Sequence, residues 1–123
     1  MKLRLRENSI RLRLARPEVE AIGRGQAIDE AVRFPDGRAL VFRLEVNDGE
    51  KQVSANLHGH ALVVSVACAT AARWSEGNEV GLEHVLPLQD GGHLRILIEK
   101  DFECLHPDRG ETTPGAFPNP NAL

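Results

Sequence analysis

The chain opens with "MKLRLRENSIRLRLA", in which Leu3, Leu5, Ile10, Leu12 and Leu14 alternate with Lys or Arg on either side of a short break at residues 7–9. A period of two gives a helix no apolar stripe, but it sorts side chains onto the two faces of a strand. "ENS" has turn-type residues, so the spacing predicts two antiparallel strands, at about 2–7 and 9–15. Their leucine side faces a core. Lys2, Arg4, Arg6, Arg11 and Arg13 face outward or into a groove.

The same alternation returns along the chain. "AIDEAVRF" places Ile28, Val32 and Phe34 on one side, and "ALVFRLEV" turns Leu40, Phe42, Leu44 and Val46 inward after the tight turn "PDGR". "QVSANLHGHALVVSVA" reads as a hairpin that turns at His58, Gly59 and His60. "EVGLEHVLPL" and "HLRILIEKDF" are two further strands joined by "QDGG". Two segments break the pattern. In "RPEVEAIGRG", Pro17 suits a first helical turn, Glu18 and Glu20 suit its positive end, and Gly23 or Gly25 suits its stop. "CATAARWSEG" is a second short helix with Trp74 as its large anchor.

The second half resembles the first. "IRLRLARPEVEAIGRG" (10–25) aligns with "LVVSVACATAARWSEG" (62–77) at an offset of 52, and "VFRLEV" (41–46) with "LRILIE" (94–99) at an offset of 53. Each half reads strand, helix, strand, strand, with the units at about 10–46 and 62–99. Two units are too few for a solenoid. They predict one α+β domain over residues 1–102, a curved antiparallel sheet or small barrel with two short helices plugging its ends or one face. Residues 103–123 are an extended, proline-rich C-terminal tail.

At 123 residues the chain fits a single domain with its own hydrophobic core. No apolar run approaches the ~20 residues of a membrane span. The charged opening "MKLRLRENS" lacks the apolar region of a secretory signal, and two cysteines are no disulfide framework, so the cytoplasm is the expected location.

Charge is unevenly placed. In residues 1–16, Lys2, Arg4, Arg6, Arg11, Arg13 and Arg16 stand against Glu7 alone, a net +5 in a chain of net charge -3. The other 107 residues therefore carry -8. One basic patch on an acidic body is unlike a nucleic-acid-binding domain. Aromatic residues are 4% with no Tyr, so the basic strands lack base-stacking platforms and nucleic acid is an improbable partner. Neither a phosphate-cradling glycine loop nor a dinucleotide fingerprint is present. Arg4, Arg11, Arg13, Arg43, Glu45, Arg95 and Glu99 are the candidate ligand-binding residues. On a strongly curved sheet they would line one concave surface suited to an anionic small molecule or protein partner. Glu45 and Glu99 occupy near-equivalent places in the repeat, as Arg43 and Arg95 do more loosely.

The chain closes with "KDFECLHPDRGETTPGAFPNP". Cys104 and His106 stand two apart, so an extended backbone points both to one side. Thiolate and imidazole suit zinc, which needs three or four ligands, and Cys68, His58, His60, His84 and His93 are the candidates to complete a site, with His58 and His60 as a turn pair. Without a Cys-x-x-Cys element, the leading alternative is Cys104 as a small buried hydrophobe. The tail reads best as a strap, with Phe102 and Phe117 as anchors and the prolines limiting the entropy lost on docking. Its groove belongs to the same chain or to a partner copy, and a swapped tail would make a homodimer. A non-catalytic binding or accessory module is the expected function. The alternative is a small metalloprotein or enzyme centred on Cys104 and His106.

The opening "MKLRLRENSIRLRLARPEVE" and closing "IEKDFECLHPDRGE…FPNP", with "FRLEV", the Trp of the second helix, "VGLE" and "LRILIEKDF" between them, resemble a family of small bacterial proteins of unknown function. The resemblance covers nearly the whole chain, and the tail signature is its most specific part. In that family the second helix usually opens with Pro and the tail before "FPNP" is richer in acids. Here those places hold "ACAT" and "ETTPGA". The resemblance implies no activity and no catalytic residues.

Overall fold

The computed structural model describes residues 1–102. Eight strands and two helices follow in the order β1 (Lys2–Arg6), β2 (Ser9–Leu14), α1 (Arg16–Gly23), β3 (Ile28–Arg33), β4 (Ala39–Asn47), β5 (Val53–His58), β6 (Ala61–Ala67), α2 (Cys68–Glu76), β7 (Gly81–Pro87) and β8 (His93–Lys100). Each half is a hairpin, a helix and a second hairpin. The expected α+β class, short helices and alternating hairpins are all present. The repeat also takes in β1 and β5, one strand more per half than the sequence alignment included.

The strands form two four-stranded sheets, ordered β1-β2-β8-β7 and β3-β4-β6-β5. Each sheet takes one hairpin from each half. The hairpins pair antiparallel within themselves, and the two inner strands pair parallel, β2 with β8 and β4 with β6. The sheets are therefore mixed, and among the described residues β1, β7, β3 and β5 are left as edges and no barrel closes. Period-two alternation fixes which face of a strand is buried but is silent about its neighbours, so parallel pairing left no trace in the sequence.

The register shows how closely the halves correspond. Leu12 pairs Ile98 across one parallel junction and Val64 pairs Leu44 across the other. Leu12 maps onto Val64 at an offset of 52, and Leu44 onto Ile98 at an offset of 54. The turns repeat at that second offset: Phe34 N–H donates to Arg38 O at 2.8 Å, and Leu88 N–H to Gly92 O at 2.8 Å. The offset of 53 read from the sequence is one residue short, and a one-residue slip moves every side chain to the other face. With the register corrected, Glu45 and Glu99 are true counterparts. Arg43 instead corresponds to Leu97, and Arg95 to Val41.

The inward faces share one core. Ile10, Leu12, Leu14, Ile96, Ile98 and Leu82 of the first sheet meet Leu44, Val53, Val64 and Val66 of the second, and Val19, Ile22, Ala71 and Trp74 come from the helices. Each helix follows the inner strand of a hairpin, so both helices cover one end of the molecule while all four hairpin turns point to the other. Pro17 opens α1, and the Glu18 carboxylate accepts from Ala15 N–H at 2.9 Å, capping the helix start. Where the helices cross, Gly23 of α1 meets Ser75 of α2, its counterpart in the repeat. A β-carbon at residue 23 would lie 2.1 Å from Ser75 Oγ, so this contact requires glycine. Behind it, Ile22 and Trp74 are equivalent to each other and both 1% exposed. The larger ring is held by a 3.4 Å hydrogen bond from Trp74 Nε1 to Val80 O and covered by Lys100 Nζ, 5.6 Å from the ring centre.

Candidate functional site

The outer face of the first sheet carries the basic strands. Pairing sets Lys2 beside Arg13 and Arg4 beside Arg11. Like charges directly opposite one another are unfavourable. The compensating carboxylates come from β8, β7 and the residue that follows β8. Glu99 bonds Arg11, Asp101 bonds Lys2 at 2.9 Å and approaches Arg13 at 3.9 Å, and Glu83 bonds Arg95 at 2.7 Å. The hydrogen bond from Lys2, with the charges of Lys2 and Arg13, holds the Asp101 carboxyl below its ordinary pKa. The outermost strand is served least. Arg4 is exposed and makes no ion pair among the described residues, and Arg6 reaches only the adjacent Glu7, at 3.7 Å. Arg13 Nε is buried without a hydrogen-bond partner among the described residues. The face thus grades from cationic at the β1 edge to acidic on the β7–β8 side.

The outer face of the second sheet is different. Arg43 sits between Asp29, at 2.7 and 2.9 Å, and Glu45, at 3.0 Å, and these bonds raise its pKa. The places of Arg11 and Arg13 are taken by Val63 and Ser65. The seven charged candidates therefore divide. Arg4, Arg11, Arg13, Arg95 and Glu99 lie together on one outer face, and Arg43 and Glu45 lie on another, with the core between. They do not line one concave surface.

The described histidines do not gather into one site. His58 ends β5 opposite Ala61, His60 lies in the adjoining turn, and both are exposed. His84 faces inward, half-buried, opposite Ile96. Cys68 is exposed at the start of α2. Among the described residues no three His, Cys, Asp or Glu side chains come together as a metal would need. Phe102 is described and is 64% exposed. Cys104, His106 and Phe117 lie outside the described residues.

A second surface was not expected from the sequence. Between the β1–β2 and β5–β6 turns runs a groove of about 740 Å³, with Leu5, Ile10, Ala55, Leu57, Leu62 and Leu94 in its walls and Arg6 and Asn8 at its rim. Leu5 is 61% exposed and Leu57 75% exposed. Both point to the core side of their strands, yet they sit beyond the reach of the helices that seal the other end. Leu5 and Ile10 map onto Leu57 and Leu62 at the offset of 52, so the groove joins equivalent parts of the two halves. That equivalence was readable in the sequence once β1 was aligned with β5. Glu7 and Asn8, at the β1–β2 turn, have positive φ angles of 47° and 58°. Such paired left-handed residues make the tight turn whose twist suits a hairpin. Asn8 is pinned by donating from Nδ2 to His93 O at 2.6 Å and accepting from Arg95 N–H at 3.2 Å.

The chain belongs to a family of unknown function, DUF7009, whose match spans residues 1–121. No curated protein and no solved structure matches it. No helix among the described residues is long and apolar enough to cross a membrane.

Proposed function

We propose that this protein is a non-catalytic binding module that receives an extended acidic segment of a protein partner along β1. Support comes from the state of that strand. It is an edge, so one side of its backbone has no strand partner among the described residues. Extended peptides add to such edges through main-chain hydrogen bonds, and side-chain chemistry then selects the sequence. Lys2, Arg4 and Arg6 all project from the same face of β1, and the observation that carries the reading is that, among the described residues, Arg4 and Arg6 lack the cross-strand carboxylates given to Arg11 and Arg95. An acidic partner would supply them.

The test is fluorescence anisotropy with a dye-labelled oligoglutamate peptide. Binding is expected to weaken about tenfold or more in an Arg4→Glu/Arg6→Glu variant, a loss of roughly 1.4 kcal/mol, and to weaken with added salt, which screens exposed charges. Arg43→Glu, on the other sheet, is the control and leaves binding unchanged. Absence of binding, or binding indifferent to the double reversal, sinks the proposal. The β1 cations would then serve only to keep the edge from pairing with other chains.

A further inference from the structure

We infer that the apolar groove between the β1–β2 and β5–β6 turns is the seat of the chain's own C-terminal segment, with Phe117 as the side chain that fills it. Four observations converge. First, the groove is too large and apolar to be idle surface: about 740 Å³, walled by Leu5, Ile10, Leu57, Leu62 and Leu94. Exposed apolar surface of this kind marks a place where something docks. Second, the family match does not stop at the end of β8 but continues to residue 121. The tail is therefore part of the sequence the family shares, together with the folded body.

Third, the reach is right. The chain leaves the described body at the helix end, where Asp101 is held by Lys2 and its N–H donates to Leu14 O at 2.8 Å. The groove lies at the opposite end of β8, beside Leu94. Six residues of strand separate these points, roughly 20 Å at ~3.3 Å per residue. The 15 residues between Phe102 and Phe117 span up to ~50 Å when extended. Fourth, the chemistry matches. Residues 103–123 carry Glu103, Asp108 and Glu111 against Arg109, and a single aromatic, Phe117, followed by "PNP". An apolar groove with Arg6 at its rim accepts one aromatic side chain on an acidic strand. The prolines reduce the entropy lost on seating it. A tether this short gives the segment a local concentration in the millimolar range, so the same chain outcompetes a second copy at ordinary concentrations.

The inference does not depend on an acidic partner at β1, since its test reads the groove alone. Uniformly labelled full-length protein is examined by NMR for nuclear Overhauser contacts between the Phe117 ring and the methyl groups of Leu5, Leu57 and Leu62. A second sample mixes labelled and unlabelled chains, and isotope filtering separates contacts within a chain from those between chains. The expected result is contacts within one chain. In Phe117→Ala, amide exchange at Ala55, Asn56 and Leu57 rises about tenfold, the lower end of what burial of one Phe side chain supplies. Contacts seen only between chains would assign the groove to a second copy and overturn the inference. A Phe117 ring without contacts to these methyls, with exchange unchanged in Phe117→Ala, overturns it as well. Asp108→Asn/Glu111→Gln, which leaves Phe117 in place, is expected to keep the ring contacts.

Discussion

The two ends of this molecule are made from matched residues and finish in opposite states. At the helix end the halves meet as Gly23 against Ser75, with Ile22 and Trp74 buried behind them. At the turn end they face each other as Leu5 and Leu57, both largely exposed across a groove. The pattern is the same at both ends, and the helices make the difference. They bring small residues into contact and drop a Trp into the core, whereas the turns hold leucines apart. A near-symmetric fold thus buries its largest side chains at one end and leaves matched leucines exposed at the other.

The sharpest way to break this contrast is to cut it at both ends. Trp74→Ala is expected to cost about 3–5 kcal/mol, the usual range for emptying a buried aromatic site, measured by urea unfolding. Leu57→Ala should cost only about 1 kcal/mol, the loss expected when the C-terminal segment covers the groove. A loss within about 0.5 kcal/mol, as for an ordinary surface position, would mean that nothing covers it. Next comes the helix crossing. Gly23→Ala should cost about 1–3 kcal/mol through overpacking. Combining it with Ser75→Gly should return part of that loss, with a coupling energy of about 1 kcal/mol in a double-mutant cycle. Additive losses would show that the helices do not touch at residue 23. At the other end, Glu7→Gly should gain about 1 kcal/mol, because Glu7 sits in the left-handed region that glycine enters freely. A loss would mean that its side chain contributes more than its backbone costs.

The smallest effect is electrostatic and depends on pH. Lys2 holds the Asp101 carboxyl below its ordinary value of 3.8. A carboxyl whose folded-state pKa is depressed adds stability above the unfolded pKa, and that stability is lost as pH falls through the folded value. Asp101→Asn should therefore be slightly less stable than the parent at neutral pH. The difference should vanish in strong acid, where both chains lack the charge. A gap that persisted in acid would point to packing in place of the ion pair.

Much of this was legible in "MKLRLRENSIRLRLA" and its echoes. Alternation placed Leu12, Leu44, Val64 and Ile98 in the core, and the turn residues marked each hairpin. Pro17, Glu18 and Trp74 placed the helices. The neighbours of each strand were not legible. The β2–β8 and β4–β6 junctions join distant segments whose side-chain patterns are the same for parallel and antiparallel pairing. The charged site divided for that reason. Arg43 and Arg95 stand 52 apart, the offset that relates β2 to β6, whereas β4 and β8 repeat at 54, and once each half gives one hairpin to each sheet the two arginines lie on opposite outer faces. The groove was hidden differently, because Leu5 has the periodicity of a core residue and lies past the point where the core is covered.

The exchange of hairpins also bears on how the protein is made. Neither half contains a complete sheet: β1 and β2 wait for β8, which arrives some 80 residues later. Leu3, Ile10, Leu12 and Leu14 are synthesised before the second hairpin of their sheet, β7 and β8. The first sheet closes only when residues 93–100 appear. Cationic side chains alternate with those leucines, and charges on an unpaired strand are a device that disfavours edge-to-edge pairing. In effect the molecule is a pair of matched halves written on one chain: the second sheet has all its strands once β6 is present, whereas the first stays incomplete until β8.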